Sequence, residues 1–340
     1  MPSDGRRWRG RGPRIAVVVL ANAGIVYGLL GYLTGHYGIG LLLLAGAIGT
    51  FLLARRWGLV DDPAFRATWV AAAIVGAGLS LATGRLNGLT DEPYLTPAFA
   101  RLAPDLYGHA VRVVYTEYGR SYASGPVYDV YLPLLAFLRL PFVAYQATSL
   151  GAWGATVVLL RRRPEAFVLF GGLWVAVLAA NGFNDFVPFL LLVLAYVTLS
   201  GTPALLAEIV SLGVKQFANV VVVGRHLWHR EWRRALFAVL VTAAFLLPFA
   251  VLAPEGVWCH AILIHAGSCT AGPGHVFGLP LLVHHLNYPL WILFVAAVFG
   301  PGFVRELRAA PPATRRARWI RRLDRAFPGP RRRPPAPPAL

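Results

Sequence analysis

The sequence predicts an all-α polytopic membrane protein of about eight full spans plus a re-entrant helix pair, with N- and C-termini cytoplasmic. Composition is the first reason. Of 340 residues, 57% are apolar and 14% charged, with a mean hydropathy of +0.57, where soluble domains run at about 45–50% apolar and about 25% charged. Length of apolar runs is the second. A hydrocarbon core of about 30 Å takes roughly 20 residues of helix, and eight uncharged runs approach that: 15–33, 38–54, 67–84, 141–160, 166–180, 186–200, 235–253 and 287–304. Charge placement is the third. Cytoplasmic loops collect Lys and Arg, and 26 of the 32 basic residues fall in segments that can all face one side. The formal charge of +17 therefore reads as topology, and no nucleic-acid partner is expected.

In chain order, the first run follows Arg6, Arg7, Arg9, Arg11 and Arg14 and lacks a small-residue cleavage site, so it reads as a retained anchor. Arg55, Arg56 and Arg66 mark the next inside loop, and Arg161 to Arg163 the one after the fourth run. Between the third and fourth runs lies a long external loop, 85–130, followed by an apolar platform at 127–140 interrupted by Pro133, Arg139 and Pro141. Residues 1–304 form the membrane domain. Beyond them a basic, Pro-rich cytoplasmic tail, 305–340, carries Trp319, Leu323 and Phe327 at helical spacing among arginines, the pattern of a helix lying on an anionic leaflet.

One segment breaks the simple count. Residues 203–224 are long enough for a crossing, but a single crossing would put Arg225, Arg230, Arg233 and Arg234 outside. A re-entrant hairpin repairs the sign. Twelve residues from Pro203 to Val214 rise about 18 Å at 1.5 Å each, carrying Lys215 past mid-membrane to the tip of a hairpin that faces a polar cavity. Lys215 is the only lysine in the chain. A snorkelling interfacial lysine is the plain reading. Its uniqueness in an arginine-rich chain favours a function: an ammonium is a compact charge with rotatable donors, where guanidinium is a fixed planar fork. It suits one phosphate oxygen in a tight space, with Gln216 beside it as a second phosphate contact.

Asp91 and Glu92 open the long external loop and are candidate catalytic carboxylates, set against the alternative of a solvated acidic pair. Tyr94 and Tyr131 are candidate ligand contacts. Asn181, Asn184 and Asp185 fall between the fifth and sixth runs, where they either cap helix ends or contact a ligand. Glu208 reads as a residue of the cytoplasmic interface, with neutralising a neighbour as the alternative. In the external loop 254–286, Cys259 and Cys269 are the only cysteines, and an oxidising face favours a disulfide over two free thiols. The histidines of that loop follow no zinc spacing, so no metal is expected. His275 is a candidate for acceptor or phosphate against a structural role. No internal repeat, P-loop or dinucleotide fingerprint is present.

These features resemble a family. "VYLPLL" at 130–135, "NGFNDF" at 181–186, "GVKQFA" at 213–218 and "REWRRAL" at 230–236 occur in the order seen in the GT-C superfamily of integral-membrane glycosyltransferases, in particular glycosyltransferase family 87, the polyprenyl-phosphate-mannose-dependent mannosyltransferases. The resemblance covers roughly residues 85–253. It implies a GT-C-like helical bundle in the cell membrane, its active site on the extracytoplasmic face, transferring a hexose, mannose first, from a polyprenyl-phosphate sugar to a glycan or lipid acceptor without a cofactor.

The residues allow that chemistry. Asp91 would act as general base on the acceptor hydroxyl and Lys215 would stabilise the charge growing on the leaving phosphate. One base without a carboxylate nucleophile implies single displacement with inversion, with Glu92 as a second carboxylate the alternative. A transporter or lipid flippase without transferase activity is the competing reading, though such folds commonly show inverted repeats.

Overall fold

The computed structural model describes residues 11–32, 39–83, 114–117, 120–123, 134, 142–258 and 287–303. Asp91, Glu92, Tyr94, Tyr131, Cys259, Cys269, His275 and the tail from 305 lie outside the described residues.

The described chain is helical apart from one short ribbon. Helices α1 (Arg11–Tyr32), α2 (Ile39–Arg56) and α3 (Pro63–Thr83) come first. Strands β1 (Val114–Glu117) and β2 (Arg120–Ala123) pair antiparallel, Tyr115 opposite Tyr122. Then follow α4 (Phe142–Leu160), α5 (Pro164–Phe170), α6 (Leu173–Ala180) and α7 (Phe186–Val193). A π-helical turn, Leu194–Thr198, extends α7. The remaining helices are α8 (Gly201–Val214), α9 (Gln216–Trp228), α10 (Trp232–Leu252), the one-turn α11 (Pro254–Gly256) and α12 (Asn287–Val298). Residues up to Phe294 form one compact unit and those from Val295 a second, of which the described part continues helical with Phe299 N–H bonded to Val295 O and Phe303 N–H to Phe299 O.

Among the described residues, four helices are long and apolar enough to cross a membrane: Arg11–Leu29, Pro63–Thr83, Val143–Leu160 and Trp232–Leu252. Their outer faces carry apolar side chains where a soluble protein would place charge, as at Leu20, Val75, Val143 and Val251, the last two 74% exposed. Lipid solvates such a surface and water does not. The chain is a multi-pass membrane protein.

One end of the bundle is basic. Arg11 pairs with Asp62 at 3.6 Å, Arg55 with Glu165 at 3.4 Å, and Arg66 Nη1 donates to Arg161 O at 3.2 Å. These contacts bring the start of α1, the end of α2, the start of α3, the end of α4 and the start of α5 together. As exposed pairs each contributes at most about 1 kcal/mol. What they record is direction: α3 and the α5–α6 segment both run away from this end.

The apolar run 166–180, expected as one span, is instead two short helices broken at Gly171–Gly172. Gly172 is extended at φ −75°, ψ 161°. Without side chains here, the Trp69 ring packs against Gly172. A break inside a bundle leaves carbonyls without helical partners; Trp69 Nε1 donates to Val168 O at 2.9 Å and Trp153 Nε1 to Phe170 O at 3.0 Å. All eight residues of α6 are buried, so this helix needs no polar face. Around it the aromatic core of Phe170, Phe186, Phe189, Trp291 and Phe294 interlocks, with Phe189 and Phe294 stacked at 4.2 Å.

Candidate functional site

The corner between α6 and α7 lies at the end of the bundle away from the arginines. Asn181 Nδ2 reaches Ser80 Oγ at 3.4 Å, and from Arg66 to Ser80 α3 rises about 21 Å. Asn181 also donates to Val177 O at 2.8 Å, satisfying one carbonyl at the end of α6. From this corner α7 runs back toward the basic end, and α8 then climbs again to Lys215.

Lys215 is where α8 and α9 meet. Its backbone is extended, φ −146°, ψ 139°, which stops one helix and starts the next. The pair folds back on itself: Glu208, seven residues before the joint, meets His226, eleven after it, Oε1 to Nε2 at 3.1 Å. Asn219 of α9 closes the joint by donating to Leu212 O at 3.1 Å and, more weakly, to Lys215 O at 3.5 Å, and it accepts in turn from the Thr242 hydroxyl of α10. Close approach explains Gly213: a Cβ there would collide with Leu134 and Phe245.

The Lys215 side chain is 2% exposed. Its Nζ donates to Asn184 Oδ1 at 2.5 Å and lies 3.4 Å from Asp185 Oδ2. Asp185, fully buried, accepts from Trp291 Nε1 on its other oxygen at 2.5 Å, and the Trp291 ring packs against Phe217 at 5.7 Å. A buried ammonium is tolerable only with such compensation. Sequence positions 184–185 and 215 thus become one polar cluster in an apolar core. The ammonium, expected to face a polar cavity, meets side chains.

The capping alternative for Asp185 is not what the structure shows. Asp185 stands at the N-cap position of α7 but makes no side-chain cap bond; its carboxylate is taken by Lys215 and Trp291. Gln216, the first residue of α9, is half-buried beside the joint. The candidate base Asp91, with Glu92, Tyr94, Tyr131 and His275, lies outside the described residues.

A second polar cluster occupies the opposite end of the α8–α9 pair. Glu208, expected at the interface, is buried at 7% exposure, accepting from Tyr196 Oη at 2.7 Å and facing His226 Nε2 at 3.1 Å. His226 Nδ1 meets Glu231 Oε2 at 2.7 Å, and the Arg225 guanidinium lies 4.2 Å from the centre of the Tyr196 ring. The two carboxylates take opposite ring nitrogens and do not converge on one point; among the described residues no group of three His, Cys, Asp or Glu side chains could hold a metal. The hydrogen bond to His226 holds the Glu231 carboxyl below its ordinary range; burial opposes it, and the charges of Arg234, His226 and Arg225 add to the lowering.

Sequence reasoning missed Trp291 and His226. Nothing around Trp291 distinguishes an indole that donates to a buried carboxylate from one anchoring a span. His226 had a signal: folding 203–228 about Lys215 brings it onto Glu208.

Comparison with protein families, with curated proteins and with solved structures finds no match for this chain. Fold and site together define a multi-pass membrane protein in which one lysine is buried at the joint of a folded-back helix pair, against an Asn-Asp corner from another part of the bundle.

Proposed function

We propose that this protein is a GT-C-like integral-membrane glycosyltransferase that moves a hexose, mannose first among the candidates, from a polyprenyl-phosphate carrier to an extracytoplasmic glycan or lipid. The observation that carries the reading is the meeting of Lys215 with Asn184 and Asp185, which brings two of the motifs behind the family resemblance into one cluster. In this reading the basic end is cytoplasmic and α8–α9 is a re-entrant pair. The fourteen residues of α8 rise about 21 Å and set the lysine toward the outer leaflet. Irregular backbone at such depth is tolerated where protein buries it.

The cluster refines the roles. Asn184 and Asp185 hold the ammonium and are positioning residues for it, where the sequence alone had them either capping helix ends or contacting a ligand. Because Asp185 already balances the charge, donor phosphate competes with a carboxylate in the ground state. Lys215 then contributes most when the carrier phosphate leaves and its negative charge grows, so it acts on turnover more than on binding. Asp91 takes the proton of the acceptor hydroxyl as the anomeric carbon changes partners, with inversion. The test is transfer from a radiolabelled polyprenyl-phosphate hexose in proteoliposomes. Lys215→Ala should lose turnover with little change in donor affinity, and Lys215→Arg should recover little, since the planar fork does not fit a site shaped for an ammonium. Wild-type turnover in Lys215→Ala sinks the proposal.

A transporter or flippase remains the second reading, favoured by one observation: the chain Glu231–His226–Glu208–Tyr196, since buried ionisable groups in membrane bundles mark ion and proton paths. Movement of a lipid-linked substrate across the vesicle wall with no sugar transferred would establish it.

A further inference from the structure

The turn joining α9 to α10 carries a feature that neither the buried lysine nor the hairpin requires. Glu231 N–H bonds to His226 O at 2.8 Å and Arg230 N–H to Leu227 O at 3.0 Å, the paired bonds of a Schellman ending, whose left-handed position glycine usually fills. Here Arg230 fills it, at φ 61°, the one non-glycine residue with positive φ among those described. A Cβ is disfavoured there. In a chain with 35 glycines, an arginine that keeps a strained backbone points to a task for its side chain.

Its surroundings name the task. Arg230, Arg233 and Arg234 are all exposed. The only acid in the turn, Glu231, is already engaged by His226 at 2.7 Å and Arg234 at 3.6 Å. Directly after the turn, Trp232, Leu236 and Leu240 follow at i, i+4 and i+8 on one face of α10, exposed by 67%, 59% and 58%. An apolar stripe that runs down a membrane helix and ends in an indole flanked in sequence by three exposed arginines matches one molecule in both halves: acyl chain along the stripe, phosphate against the guanidinium groups. A free anion would have no use for the stripe.

We propose that this turn, with Arg230 and Arg233 at its head and Trp232, Leu236 and Leu240 along its side, is a binding site for an anionic phospholipid of the leaflet at the basic end. The site does not rest on the glycosyltransferase reading, although four of its residues lie in the REWRRAL segment at 230–236.

The test is native mass spectrometry of the full chain in neutral detergent, titrated separately with phosphatidylglycerol and phosphatidylcholine, with inorganic phosphate as competitor. Phosphatidylglycerol should bind in preference, and inorganic phosphate at equal concentration should leave it bound. Arg230→Gly, which removes the guanidinium while relieving the backbone, should keep or raise thermal stability and weaken phosphatidylglycerol about five-fold, the worth of one basic residue at a membrane surface. Arg233→Gln should do the same. Arg56→Gln, an exposed arginine at the same end of the bundle but outside the turn, should change binding less than two-fold. The proposal falls if Arg230→Gly binds phosphatidylglycerol as the wild type does, if Arg56→Gln loses as much, if phosphatidylcholine binds equally, or if phosphate alone displaces the lipid.

Discussion

Lys215 and Asp185 form an ion pair at 3.4 Å with side chains 2% and 0% exposed, joining the apex of one helix pair to the corner between two other helices. At that depth neither charge has solvent, and their mutual attraction roughly balances what their burial costs. The pair thus contributes more to where α8–α9 docks than to net stability. Asn184 and Trp291 add hydrogen bonds to the pair.

The pair therefore predicts an asymmetry between single and double replacements. Lys215→Met or Asp185→Leu alone leaves an uncompensated buried charge and should cost about 3–5 kcal/mol. Lys215→Met with Asp185→Leu removes both charges and should recover most of that loss, measured by thermal unfolding in detergent. The double variant also separates fold from chemistry: it should stay folded and transfer no sugar. Equal losses in the single and double variants would show that the pair's worth lies in its particular contacts and not in mutual compensation.

How much of this was legible follows from the physics of each signal. Apolar runs and arginine placement are sums over many residues, so the membrane class and the basic end could be read. The direction of the chain at Lys215 could be argued because one misplaced group of arginines outweighed a run that looked like a span. The break at Gly171–Gly172 could not, since two glycines inside an apolar run are ordinary until Trp69 and Trp153 are seen to take the freed carbonyls. Asp185 before a helix reads as a cap by local rules. Only the distant Lys215 and Trp291, 30 and 106 positions along the chain, make it a counter-charge.

At the other end of the pair, Glu231 gives a pH prediction with a definite sign. Its hydrogen bond to His226 depresses the folded-state pKa below the ordinary 4.5. A depressed carboxyl stabilises the fold above its unfolded pKa, and that contribution disappears as pH falls through the folded value. The wild type should thus exceed Glu231→Gln in thermal stability at neutral pH and converge with it in acid, below the ordinary carboxylate range. A gap that widens on acidification would reverse the assignment of the carboxylate as acceptor.

Gly213 should tolerate nothing larger. A methyl there meets Leu134 and the Phe245 ring, and overpacking of this kind typically costs about 1–3 kcal/mol. Because the clash lies two residues before Lys215, Gly213→Ala should also loosen the joint. Lower melting temperature together with faster labelling of a cysteine placed at Gln216, in a Cys259→Ser/Cys269→Ser background, is the expected result. Unchanged melting and labelling would mean that the Leu134 and Phe245 side chains move aside freely.

The catalytic reading rests finally on which of two neighbouring carboxylates removes the acceptor proton. Asp91 comes first after the third apolar run and, in the proposed reading, takes the family's acidic position, with Glu92 as the second candidate. Loss of a general base costs about 10²- to 10⁴-fold in rate. Asp91→Asn, nearly isosteric but unable to take a proton, should therefore lose most transfer and keep membrane insertion and donor affinity, while Glu92→Gln loses less. Both variants belong in the same radiolabelled-donor assay, with donor binding measured alongside. Loss in Glu92→Gln with full activity in Asp91→Asn would exchange the two roles. Full activity in both would remove the base from this loop and, with it, the case that Lys215 faces a glycosyl donor.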